Sequence, residues 1–170
     1  RGSEEEISKR LQMYPPFFKS ASKPVLEIGG GRGEMQLLLK KEGVNSYSVD
    51  IDKAMVQAGL ARGADISHGD GIQALAELPD GSLSGVIAIQ VVEHLSREQL
   101  ERLMKLCQAK VEKGGKVIFE TINPQSLLAL SSNYFRDLTH VFPLHPDTLG
   151  YVMELSGLKV IETCYLSPVP

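Results

Sequence analysis

Val25-Leu26-Glu27-Ile28-Gly29-Gly30-Gly31-Arg32-Gly33 decides the fold. A short, mostly apolar run makes a strand, and glycine fills four of the next five positions. Such a turn gives positive φ and lets backbone come close to a ligand. Glu34 to Glu42 then reads as a helix with Met35, Leu38 and Leu39 inward, and Gly43 suits a left-handed cap just past its end. In an open α/β sheet, ligands bind at such a place, outside the carboxyl ends of the strands. The next strand, Val44 to Val49, ends at Asp50, 21 residues beyond Gly29. That offset fits a carboxylate bonded to a ribose diol.

Outward from this unit the chain keeps alternating. Asp52 can cap a helix carrying Met55, Val56 and Leu60, closed by Gly63. Ala64 to His68 reads as a third strand, and Leu83 to Gln90 as a fourth, apolar on both faces as buried parallel strands are. Ser96 and Gln99 form a capping box before Leu100, Leu103, Met104, Cys107 and Val111 at helical spacing. Lys116 to Thr121 is a fifth strand, and a long connection follows from Asn123 to His145. Pro146 opens a helix through Leu149, Val152 and Met153 that ends at Gly157. Leu158 to Leu166 reads as a last strand. Upstream, Glu4 to Met13 reads as a helix with Ile7, Leu11 and Tyr14 on one face, stopped by Pro15-Pro16. The expectation is an α/β fold, a doubly wound and mostly parallel sheet.

Composition narrows the class. At 170 residues the chain is one domain. With 42% hydrophobic and 23% charged residues it is neither disordered nor fibrous. A net charge of −3 gives no general footprint for nucleic acid. Two cysteines are too few for a disulfide scaffold and fit a reducing, cytoplasmic setting. No apolar run approaches the ~20 residues of a membrane helix. Arg1-Gly2-Ser3 reads as a tag remnant.

Two cofactors compete for the glycine loop. A dinucleotide site wants G-x-G-x-x-G, but the third glycine position holds Glu34, whose charge would repel a diphosphate. Glu27 suits an amino group instead. A ribose-bearing ligand with a cationic end and no phosphate fits, and S-adenosylmethionine is such a ligand.

Glu27-Ile28-Gly29-Gly30-Gly31-Arg32-Gly33 resembles the first motif of class I S-adenosylmethionine-dependent methyltransferases, which are Rossmann-like. The resemblance runs from about Pro24 to Leu166. Tyr47 to Asp52 is similar to the second motif, implying that Asp50 binds the ribose hydroxyls and Ile51 packs on adenine. His68-Gly69-Asp70-Gly71 is similar to the third, implying an adenine contact from Asp70 beside Gly71. Gln90-Val91-Val92-Glu93-His94-Leu95 resembles the fourth-strand signature, which puts Gln90 and His94 near the methionine end. Lys113 to Ile118 resembles the turn into the fifth strand. The cofactor set implied is Glu27, Gly29, Gly31, Gly33, Asp50, Ile51, Asp70, Gly71, Gln90 and His94.

The long connection is the acceptor side, because it follows the carboxyl end of a strand. Glu120-Thr121-Ile122-Asn123-Pro124, then Phe135 to His140 and Pro143-Leu144-His145-Pro146, are similar to methyltransferases of bacterial cell-surface polysaccharide and O-antigen assembly. Ile122 and Leu138 stand where that subgroup carries proline. The resemblance implies transfer to a hydroxyl of a sugar, glycan or other small molecule. His140 is the first candidate for general base and His145 the second, with Tyr134 orienting the acceptor. A competing reading takes Asp137, His140, His145 and Asp147 as metal ligands; the expectation adopted is no metal. Two other functions stay open: a nicotinamide-dependent sugar oxidoreductase or epimerase, and a non-catalytic S-adenosylmethionine-binding domain.

Residues 1–22 are expected as tag remnant and a helix or lid, and residues 23–170 as the methyltransferase domain. The family's sheet ends in two strands after the last helix, whereas one is expected here, giving six. The chain is then a piece of a longer protein or one strand short, and an open edge would suit a further domain or a homodimer. Expected partners are a small-molecule or glycan acceptor, with no nucleic acid and no membrane insertion.

Overall fold

A computed structural model describes residues 4–166. The tag remnant expected at Arg1-Gly2-Ser3 lies outside them, as do residues 167–170. The chain runs α1 (Glu4–Leu11), β1 (Val25–Ile28), α2 (Glu34–Lys41), β2 (Ser46–Asp50), α3 (Lys53–Ala61), β3 (Ile66–His68), α4 (Gly71–Ala76), β4 (Leu83–Ile89), α5 (Arg97–Lys110), β5 (Val111–Glu120), α6 (Leu127–Ser132) and α7 (Pro146–Leu155). All strand pairs are parallel, in the order β3-β2-β1-β4-β5.

Alternation along the central strands explains the two covered faces. Leu26 and Ile28 of β1, with Val86 and Ala88 of β4, join Leu75, Leu100, Leu103, Met104 and Leu149 from α4, α5 and α7. Val25 and Ile87 point the other way, onto Leu11, Tyr14, Phe18, Met35 and Leu39. Every residue of β1 is buried. In the segment expected as a helix or lid, Phe18 is buried inside a 3-10 turn (Pro15–Phe18), while Phe17 is exposed.

The expected caps form. Asp52 accepts the Ala54 and Met55 amides, and Ser96 and Gln99 close a reciprocal capping box. Among the described residues no helix is long and apolar enough to cross a membrane.

The sheet corrects one expectation. Leu158 to Leu166 is not a strand, so the described sheet has five strands, not six. Leu158 still packs on the core, but Ile161 is 73% exposed and Tyr165 62%. Alternating apolar residues can line a face, yet a strand also needs a partner for its amides. Two short helices, α4 and α6, were not legible because six residues hold fewer than two turns of pattern.

Phe18→Ala is expected to cost about 3–5 kcal/mol and Phe17→Ala under about 1 kcal/mol. Urea unfolding of both variants measures this, and equal losses would contradict the described packing.

Candidate active site

The sheet order reverses at β1, whose chain crosses to β2 on one side while β4 lies on the other. In an open α/β sheet such a reversal leaves a crevice for ligand at the carboxyl ends. The glycines line it for steric reasons. A Cβ on Gly29 would stand 2.4 Å from Val91 Cγ2, one on Gly30 2.5 Å from Ser48 Cβ, and one on Gly33 2.5 Å from Ala64 Cβ. Gly31, at φ 55°, has nothing within 4 Å of such an atom and faces open space. Gly71 opens α4 against Ile28, 2.5 Å from where its Cβ would lie.

Asp50 ties two loops together. Its Oδ2 accepts the Gly31 amide at 2.7 Å and its Oδ1 the Asp52 amide at 2.7 Å. Each oxygen keeps a second lone pair for a ribose hydroxyl. Ile51 beside it is 75% exposed, open to an adenine face. Asp70 spends one oxygen on capping α4 through the Gln73 amide.

Glu27 is buried beneath the loop, where its carboxyl accepts from Ser48 Oγ, with the Gln36 amide of α2 close by. Burial pushes its carboxyl up to about 7, with Glu34 and Asp50 adding repulsion. Glu34 itself pairs with Arg32 at 2.8 Å and Arg62 at 3.2 Å. Its charge is therefore compensated, and the repulsion argued from Glu34 against a diphosphate loses its force.

At the end of β4, Gln90 is the one non-glycine described residue with positive φ, 55°. Its amide donates to the Glu120 carbonyl at 2.8 Å and its Nε2 to Glu120 Oε1 at 3.1 Å. The Tyr14 hydroxyl also donates to Glu120, and Arg10 lies 3.9 Å away. Glu120, like Asp50, is a carboxylate at the carboxyl end of its strand.

The connection folds back over β4. The Val141 amide donates to the Glu93 carbonyl. Tyr134 stacks on His140 with ring centroids 4.6 Å apart, and His140 meets His94 at 4.7 Å. His140 Nδ1 donates to the Tyr134 carbonyl at 2.7 Å, which leaves Nε2 as its basic nitrogen. Beneath them Glu93 is buried with both carboxylate oxygens lacking a hydrogen-bond partner, as is the Tyr134 hydroxyl. Burial raises the Glu93 carboxyl.

His145 has a different task. Its Nδ1 accepts the Asp147 amide and caps α7, so its neutral ring carries the proton on Nε2 and shows no free lone pair. The metal set Asp137, His140, His145 and Asp147 does not assemble. Among the described residues, the grouping with ligand-like spacing is Glu93, His94 and His140, within 4.8 Å of one another.

A family of methyltransferase domains matches residues 2–163. The chain belongs to that family. A structure of an S-adenosylmethionine-dependent methyltransferase from Archaeoglobus fulgidus is 40% identical, with a TM-score of 0.87 over 92% of this chain and 70% of that one. The ubiquinone biosynthesis O-methyltransferase of Pseudomonas aeruginosa is 27% identical over 167 residues, covering 88% of this chain and 70% of that protein. Its counterpart in Acinetobacter baylyi is 26% identical, covering 82% and 65%. The fold is the Rossmann-like α/β fold of this family. The chain is an S-adenosylmethionine-dependent methyltransferase, and S-adenosylmethionine is its cofactor. That sets aside the nicotinamide oxidoreductase and the non-catalytic domain. These relatives come from ubiquinone biosynthesis, so they lend no support to the polysaccharide resemblance.

Two outcomes follow for the methyltransferase. Asp50→Ala should weaken S-adenosylhomocysteine binding at least about tenfold by calorimetry, since it frees two loops and removes a charged acceptor; unchanged affinity would contradict the assignment. Glu27 binds its proton more tightly folded than unfolded. Its contribution is therefore full below about 4.5 and lost as pH rises through about 7. Melting temperature should fall over that window in the native protein, and the fall should shrink in Glu27→Gln.

Proposed function

We propose that this methyltransferase moves a methyl group to a hydroxyl of a small acceptor with an apolar body. The observation carrying the reading is the imidazole pair, His94 and His140, held by the folded-back connection at the end of β4. A hydroxyl acceptor gains from a base, whereas many amines and carbanions need none. The same connection exposes Leu127, Leu128, Phe135, Leu138 and Val141, with Leu138 97% exposed. Apolar side chains there favour an acceptor with a hydrocarbon or aromatic body over a bare sugar. The relatives' names, O-methyltransferases of ubiquinone biosynthesis, point the same way.

The crevice fits S-adenosylmethionine: Gly31 faces open space, Asp50 offers carboxylate lone pairs and Ile51 an exposed apolar face. When bound, the cofactor supplies an electrophilic methyl on a sulfonium. The glycine loop and Asp50 would hold it, so that the acceptor oxygen could take the methyl as the carbon–sulfur bond breaks. The acceptor's proton passes to an imidazole Nε2 of the pair. Tyr134 and the apolar connection shield the reaction from water.

S-adenosylhomocysteine should bind and NAD should not. With S-adenosylmethionine, 4-butylcatechol should yield S-adenosylhomocysteine and methyl glucoside should not, as read by mass spectrometry. Turnover of the glucoside alone would overturn the apolar acceptor, and turnover of neither would overturn the hydroxyl reading for these two classes.

A further inference from the structure

Asp137 and Thr139 make an Asx turn, and their side chains continue beyond it. Thr139 Oγ1 lies 2.6 Å from Asp137 Oδ1 and 2.9 Å from His94 Nδ1. A hydroxyl has one proton to give. Asp137 is held below the usual carboxylate range by the Thr139 hydroxyl and amide, so it is an ionised acceptor. The Thr139 proton therefore goes to Asp137, and the Thr139 oxygen must accept from His94 Nδ1–H. This direction fixes the neutral His94 ring with its proton on Nδ1 and its lone pair on Nε2.

We infer that Asp137 and Thr139 are positioning residues that hold His94 in this tautomer, so that His94 Nε2 takes the acceptor's proton. The inference rests on the hydroxyl-transfer reading above and selects one imidazole of the pair. His140 has a similar bare Nε2, but its Nδ1–H donates to a neutral backbone carbonyl. His94 is backed through one hydroxyl by a carboxylate, which stabilises the positive charge that grows on the ring as it accepts a proton. The other groups facing His94 are Glu93 on its own turn and His140 from the connection, with Tyr134 stacked behind.

The proton balance is simple. The acceptor oxygen loses its proton to His94 Nε2 and gains the methyl carbon; Nδ1–H stays on the ring, bonded to Thr139. The imidazolium then releases the Nε2 proton to water.

Long-range 15N–1H spectra of histidine-labelled protein at pH 8 read the tautomer with no acceptor present. The native protein should show His94 with Nδ1 protonated. Thr139→Val, which keeps the shape and removes the hydroxyl, should shift His94 toward the Nε2–H form, and Thr139→Ser should restore Nδ1–H. A native His94 protonated at Nε2, or a spectrum indifferent to Thr139→Val, would overturn the inference. With 4-butylcatechol, kcat of Thr139→Val should fall at least about tenfold while S-adenosylhomocysteine affinity holds; native kcat in that variant would also overturn it. Failure of the native protein to methylate any hydroxyl would instead strike the function proposed above, leaving the tautomer to be decided by the spectra.

Discussion

Backbone contacts too close for any side chain set the geometry of this molecule. Gly29 lies against Val91, Gly30 against Ser48 and Gly33 against Ala64, each with about 2.5 Å to the place where a Cβ would be. Those contacts press the turn after β1 onto the loop after β4, onto β2, and onto the segment leading to β3. Close packing here is what brings Asp50 within reach of the Gly31 amide. The crevice is therefore fixed by absent atoms, and the hydrogen bonds settle into a shape that sterics has already chosen.

Carboxylates around this crevice differ in environment, and so in task. Glu34 is neutralised by two arginines, Asp50 is hydrogen-bonded by two backbone amides, and Glu120 gathers Arg10, Tyr14 and Gln90 from two separate segments. Glu27 and Glu93 are the most deeply buried, and both are held up in pKa by desolvation. The Ser48 hydroxyl donates to Glu27, whereas both Glu93 oxygens are buried without a hydrogen bond of normal geometry, near the Thr121 hydroxyl. A buried acid without partners beside two imidazoles is costly to the fold. Such local expense is characteristic of places where chemistry is done.

Much of the architecture could be read from the chain because its determinants are local. A cap is written within four residues, as at Asp52 and at Ser96 with Gln99, and a glycine loop within five. Leu158 to Leu166 shows the limit: period-two alternation states which side chains share a face but not whether a neighbouring strand exists. The site divides the same way. Gly29 to Gly33 and Asp50 belong to contiguous motifs, but His94 and Thr139 are 45 residues apart and meet only because the connection folds back. The sequence suggested histidines on that connection; it held no sign that Asp137 and Thr139 would serve a histidine on another loop. His145, the second candidate for the base, uses its ring to cap a helix.

Gln90 carries a consequence of its own. A side chain in the left-handed region costs about 1–2 kcal/mol relative to glycine, and Gln90 sits there at φ 55°. Its two bonds to Glu120 are what hold it in place. Glycine at position 90 would relax the backbone and at the same time cut the side-chain link between β4 and β5 at the mouth of the crevice. Position 90 thus sets a relaxed backbone against a tie between two strands, and glutamine keeps the tie.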